Sequence, residues 1–138
     1  MMDMDLKERM QSTLAETVSA YTSANRAVST REGENEPICM YETEDGRRCA
    51  VGRMLTPVGL SCVVPGGITE PSVRESLGIE QSTLFVDGPM FQDRYHGLPL
   101  DFVNSLQELH DTDGNWDTVG LTAAGKSHLH NIKLTYDL

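Results

Sequence analysis

The strongest constraint on the fold is a turn signal at Asp45-Gly46, between two apolar stretches. Glycine adopts positive φ without a Cβ clash and aspartate tolerates the neighbouring position, so this dipeptide favours a tight turn. The stretch before it, residues 37–41, has the composition of a strand. The stretch after it, residues 49–55, could form a return strand or a short helix that ends before the next proline. We therefore predict a β-hairpin over about residues 37–53.

Helical periodicity is clearest near the N-terminus. Apolar side chains recur there every three or four positions: Leu6, Met10, Leu14, Val18 and Tyr21. This stripe predicts an amphipathic helix over residues 3–26. Further helices are predicted over about residues 71–77, 100–111 and 122–130, the last capped by Thr122. The tail from Ile132 alternates apolar and polar residues, a pattern that also suits an edge strand.

These elements predict an α+β fold that is mostly helical, with one β-hairpin. The 138 residues suffice for one small domain with a single core, over residues 1–138. We expect helices 3–26 and 100–111 to pack over the hairpin. The expected core residues are Leu14, Val18, Phe102, Leu106 and Trp116.

Charge excludes some classes of partner. The chain has 21 acidic and 11 basic residues, a net charge of −10. Binding nucleic acid through its phosphates needs clustered Lys and Arg, so direct nucleic-acid binding is not expected. No apolar stretch is long enough to span a membrane, and acids occupy the N-terminus where a signal peptide needs basic residues, so we expect a cytoplasmic protein. A basic partner surface fits this balance.

Two short elements carry a family resemblance. The first reads Tyr-x-Thr-x-Asp-Gly-x-x-Cys-Ala-Val-Gly over residues 41–52, and the second reads Leu-Gln-x-Leu-His-Asp…Asn-Trp over residues 106–116. Together they resemble an uncharacterised family of small bacteriophage and prophage proteins that pair the same two elements. The resemblance covers about half of the chain. It implies a phage origin and brings no activity, cofactor or catalytic residue with it.

A cysteine enzyme is the alternative prediction. Cys49 follows the predicted turn, where backbone N–H groups of a helix N-terminus could stabilise its thiolate. His110 could act as its base and Asp111 or Asp113 could orient the ring, as in a cysteine-dependent hydrolase or transferase. Against this, His110 lies on the apolar stripe of its helix, where histidine is more often a core side chain.

A calcium loop is a weaker alternative. Carboxylate and amide side chains alternate along one segment: Asp111, Asp113, Asn115 and Asp117. Position six of such a loop needs Gly for its sharp turn, and position twelve needs a bidentate Glu. Trp116 and Thr122 occupy these positions, and a loop between two helices explains the same residues. No metal and no cofactor are expected.

The leading hypothesis is a binding protein. Acids cluster before and within the predicted hairpin: Glu32, Glu34, Glu36, Glu42, Glu44 and Asp45. Such a run is most often only a solvated face. As the predicted binding residues, Glu42, Glu44 and Asp45 would dock onto a basic host or defence protein, including a nucleic-acid enzyme inhibited by their imitation of phosphates. A homodimer through helix 3–26 is the second partner prediction, since its stripe could exceed what one core covers.

Overall fold

The computed structural model describes residues 4–22, 25, 28–29, 38–39, 47–63, 71–80 and 84–138. Within these ranges the α-helices are α1 (Met4–Ala20), α2 (Pro57–Cys62), α3 (Pro71–Ser76), α4 (Leu100–Asp111) and α5 (Ala123–Tyr136). Short 3₁₀ helices span Gly52–Met54, Asp93–Tyr95 and Asp113–Asn115. Two strands of two residues each, β1 (Val28–Ser29) and β2 (Ile38–Cys39), pair antiparallel with Val28 opposite Cys39. The described fold is therefore mostly helical.

The predicted α+β fold with a β-hairpin over residues 37–53 is wrong. The stretch after the turn, for which a return strand and a short helix were the alternatives, is a turn followed by the 3₁₀ helix Gly52–Met54, so the return strand is wrong and the short-helix alternative fits. Its backbone groups bond locally, with the Arg53 N–H donating to the Cys49 carbonyl at 3.0 Å. The Val51 N–H of this segment donates to the Gln107 side chain, so turn bonds and a side-chain acceptor take the place of a strand ladder here. The predicted turn residues 45–46 lie outside the described residues.

All four predicted helices are present, three of them with shifted ends. α4 spans the predicted range, whereas α1 ends at Ala20 instead of near residue 26. The edge strand in the tail is wrong, because α5 continues to Tyr136. Ile132 is buried and Tyr136 half-buried, four residues apart on one helical face, while Leu134 between them is exposed. The apolar residues of the tail thus fit a helix.

α4 supplies the centre of the core. Phe102 and Leu106 of α4 are completely buried, and Leu14 of α1 and Trp116 are almost so. These four were expected in the core, and the fifth, Val18, is half-buried at its edge. The described chain therefore covers much of the α1 stripe by itself.

Glu16 connects α1 to other segments through hydrogen bonds and ion pairs. Its Oε1 atom accepts hydrogen bonds from Arg53 Nη2 at 3.3 Å, from Arg94 Nη2 at 3.0 Å and from the Tyr95 hydroxyl at 2.8 Å. Arg9, two turns earlier on α1, donates to the carbonyl of Arg94 at 2.9 Å. Basic side chains are thus used to hold the elements together.

Ionisation of Tyr95 lowers the stability of the fold at high pH. Burial, with the hydrogen bond to Glu16, raises the pKa of Tyr95 from 10.0 to about 12. An unfolded tyrosine ionises near pH 10, so the contribution of Tyr95 is complete below about pH 10 and is lost as the pH rises towards 12. We expect the free energy of unfolding to fall across this window, and to fall less in Tyr95→Phe. Urea denaturation at about pH 9 and pH 11, with tyrosinate absorbance as a check, measures this; equal losses in both proteins would contradict it.

Candidate functional site

The two sequence elements meet at the side chain of Gln107. Its Oε1 accepts a hydrogen bond from the backbone N–H of Val51 at 2.9 Å, and its Nε2 donates to Asp111 Oδ1 at 2.8 Å. The same Oδ1 lies 2.7 Å from His110 Nδ1. Gln107 and His110 are both buried. We call Val51, Gln107, His110 and Asp111 the polar joint, because they connect the segment around residue 51 to α4.

Aromatic side chains close the polar joint on another side. The Tyr21 hydroxyl donates to the carbonyl of Arg48 at 2.6 Å. Its ring stands edge-on to the His110 ring, with centroids 4.7 Å apart, and to the Trp116 ring at 5.8 Å. Trp116 Nε1 donates to the carbonyl of Leu109 at 2.9 Å, which satisfies an acceptor in the last turn of α4. Trp116, in the second of the two sequence elements (residues 106–116), thus caps the C-terminal end of α4.

The structure forms one half of the predicted catalytic constellation. His110 and Asp111 are hydrogen-bonded, as a base and its orienting acid would be. The Cys49 thiol accepts a hydrogen bond from the Gly52 N–H at 3.3 Å, and in the described part of the chain it has none to His110. Both Cys49 and His110 have no exposed surface. A nucleophile needs contact with its substrate, so this arrangement favours a core thiol and a structural His–Asp pair.

Thiol labelling checks this interpretation of Cys49. In a Cys39→Ser background, we expect one thiol to react quickly with Ellman's reagent in the native protein, because Cys62 is exposed and Cys49 is buried. Unfolding in guanidinium should release the second. Cys49→Ala in the same background should leave the native signal unchanged. A second fast native thiol that Cys49→Ala removes would restore the enzyme alternative.

The joint residue that sequence reasoning missed is Gln107. It lies within a run of apolar positions of α4, four residues after the buried Val103, so its spacing was a signal of burial. The partner of Gln107 could not be predicted from sequence, because Val51 bonds it through a backbone N–H and lies 56 positions away. The predicted binding residues Glu42, Glu44 and Asp45 lie outside the described residues.

The segment that resembles a calcium loop has a structural explanation. Asp117 Oδ1 accepts from the backbone N–H groups of Val119 and Gly120, at 2.9 and 3.0 Å, and thereby forms a tight turn. The buried Asn115 donates its Nδ2 to the carbonyl of Leu109 at 3.1 Å. Among the residues that the structure describes, no three His, Cys, Asp or Glu side chains are grouped to hold a metal ion.

Charge is distributed unevenly between surface and interior. Of the twelve acidic side chains whose exposure is described, ten are exposed, against three of nine basic ones. The exposed acids are Asp5, Glu8, Glu75, Glu80, Asp87, Asp93, Asp101, Glu108, Asp117 and Asp137. The exposed cations are Arg94, Lys126 and Lys133. The described surface is therefore more acidic than the composition alone indicates.

Comparison with known proteins adds no identification. No protein-family profile matches the chain, and no curated protein or solved structure is significantly similar to it. In the described part of the chain, no helix is long and apolar enough to cross a membrane.

Proposed function

We propose that this chain is a small acidic accessory protein of phage origin that binds a basic surface on a host or defence protein. It acts in the host cytoplasm and works by binding instead of by catalysis. The observation that supports this proposal is the uneven charge distribution: carboxylates dominate the described surface, while six of the nine described cations are buried or half-buried. The phage origin rests on the resemblance of the two sequence elements.

The physical basis of such binding is electrostatic complementarity. An acidic surface attracts a basic one over several ångströms, which raises the association rate and disfavours partners of like charge. Surfaces that bind phosphates are basic for the same reason, so nucleic-acid enzymes are suitable targets for inhibition. Because salt screens exposed charges, the interaction should weaken as ionic strength rises.

Affinity capture from bacterial lysate with mass spectrometry tests the proposal. We expect a basic protein to be enriched at low salt and released as salt increases. Glu42→Gln/Glu44→Gln/Asp45→Asn neutralises the predicted binding residues. Asp93→Asn/Asp101→Asn/Glu108→Gln removes the same number of charges from exposed positions elsewhere and is the matched control.

The two variants separate the outcomes. Loss of capture by the first variant alone assigns binding to residues 42, 44 and 45, and equal loss by both assigns it to the acidic surface as a whole. Capture that neither salt nor either variant weakens would contradict the proposal, as would capture of no protein at any salt concentration.

A further inference from the structure

A groove of about 410 Å³ lies between α1 and the C-terminal residues. Its apolar surface comes from both sides: Leu14, Ala15 and Val18 on α1, and Leu129 and Leu138 opposite. Leu138 reaches the groove because Asp137 takes a left-handed conformation, with φ 55°, and the chain turns back. The Leu138 N–H then donates to the Lys133 carbonyl at 2.8 Å. This hydrogen bond is typical of a Schellman ending, and it fixes one wall of the groove.

Lys133 is the charged side chain among the described residues that line this groove, and the Leu138 carbonyl oxygen there accepts from Gln11 Nε2 at 3.4 Å. Lys133 is exposed, and in the described part of the chain no carboxylate lies within ion-pair distance of it. The nearby acid, Asp137, bonds Lys7 at 3.4 Å instead. The α1 side contributes Gln11 and small neutral residues. Lys133 is one of three exposed cations on the described surface, against ten exposed acids.

We propose that the groove binds an amphipathic anion, a molecule with an alkyl or aryl body and one carboxylate or sulfonate head. Its body would cover the apolar surface, and its head would lie at Lys133. The volume falls within the range of small-molecule sites, which are mostly apolar with a few polar groups that fix orientation. This site differs from the acidic surface of the proposed function and has the opposite charge preference, so either proposal stands without the other.

Binding of 1-anilinonaphthalene-8-sulfonate, an aromatic sulfonate that fluoresces in apolar sites, tests this proposal. We expect saturable binding to the native chain and displacement by dodecanoate below its micelle concentration. Dodecyltrimethylammonium has a tail of the same length and the opposite charge, and it should displace the probe much less well. Ala15→Trp, which adds a ring at an exposed position lining the groove, should abolish saturable binding.

Two charge reversals on one helix give the sharpest comparison. Lys133→Glu should weaken binding of the probe by about fivefold, the upper range for one exposed ion pair. Lys126→Glu makes the same change on α5 at an exposed position outside the groove lining, and it should leave binding unchanged. Circular dichroism and thermal unfolding establish that each variant is folded.

Three results would overturn the proposal. The first is equal displacement by the anionic and cationic amphiphiles, and the second is an equal effect of the two charge reversals. The third is a light-scattering mass of twice 15.2 kDa that Ala15→Trp returns to the monomer value. That last result would assign the groove to a second copy of the chain and support the homodimer predicted through the N-terminal helix.

Discussion

Gly125→Ala is expected to lower the free energy of unfolding by about 1–3 kcal/mol, the range typical of overpacked interiors. A Cβ at Gly125 would lie 2.3 Å from the Asn115 carbonyl oxygen and 2.7 Å from Leu121 Cδ2. That oxygen accepts the Thr122 N–H at 2.8 Å, so it cannot move away from a new Cβ without weakening this hydrogen bond. Helix propensity alone predicts the opposite sign, a gain of up to about 1 kcal/mol for Ala over Gly.

Gly114→Ala is the matched control for this prediction. Apart from its two chain neighbours, no heavy atom of the described residues lies within 4 Å of a Cβ built at Gly114, so we expect a change of less than about 0.5 kcal/mol. Urea denaturation of the three proteins measures the differences. If Gly125→Ala proved as stable as the wild type, the close packing of α5 on the Asp113–Asn115 helix would be incorrect.

Gln107→Leu is expected to cost about 2–3 kcal/mol. Leucine is apolar and has nearly the same side-chain volume as glutamine. It lacks the oxygen that accepts the Val51 N–H and the amide group that donates to Asp111. A buried donor left without a partner costs about 1–3 kcal/mol, and the Asp111 carboxylate loses one of its bonds. Gln11→Leu, at an exposed glutamine with one long contact of 3.4 Å, should change stability little. Equal effects of both substitutions would show that the polar joint contributes nothing.

Gln107→Glu adds a pH-dependent test of the same joint. The new carboxylate can still accept from Val51, but it places a second oxygen against Asp111 Oδ1, where the wild-type amide donates at 2.8 Å. Two adjacent carboxylates raise the pKa of one of them. A raised pKa contributes stability at low pH that is lost as the pH rises, so this variant should approach wild-type stability as the pH falls from about 8 towards 5. A constant difference between the two proteins would contradict the prediction.

Sequence patterns identified the helices better than the connections. α4 was predictable because buried residues recur along it at helical spacing after Pro99. α2 was missed although Thr56-Pro57 carried a readable start signal, an N-cap with proline in the first turn. The hairpin failed because a turn signal specifies a reversal of the chain and leaves the flanking hydrogen bonds undetermined. Those bonds are local, from residue 53 back to residue 49, and no alternation pattern reveals them.

The candidate site could be predicted from the sequence only in part, because some of its contacts are short-range and others are long-range. His110 and Asp111 are neighbours in sequence, so their pairing was a short-range prediction, and the hydrogen bond is present. The buried Cys49 lies two residues before Val51, whose N–H bonds a side chain 56 positions away. Composition and spacing give little information on such long-range packing. The same two elements could therefore be interpreted as a catalytic pair or as a core joint, and only their exposure distinguishes the alternatives.

Amide hydrogen exchange at Val51 tests most directly whether the two sequence elements form a buried structural joint. The Val51 N–H is buried and bonded to Gln107 Oε1 at 2.9 Å. We expect it to exchange in the wild type only through openings whose free energy approaches that of global unfolding. Gln107→Leu should lower its protection by more than the change in global stability. Exchange of the wild-type Val51 amide at the rate of an unprotected amide would contradict the joint.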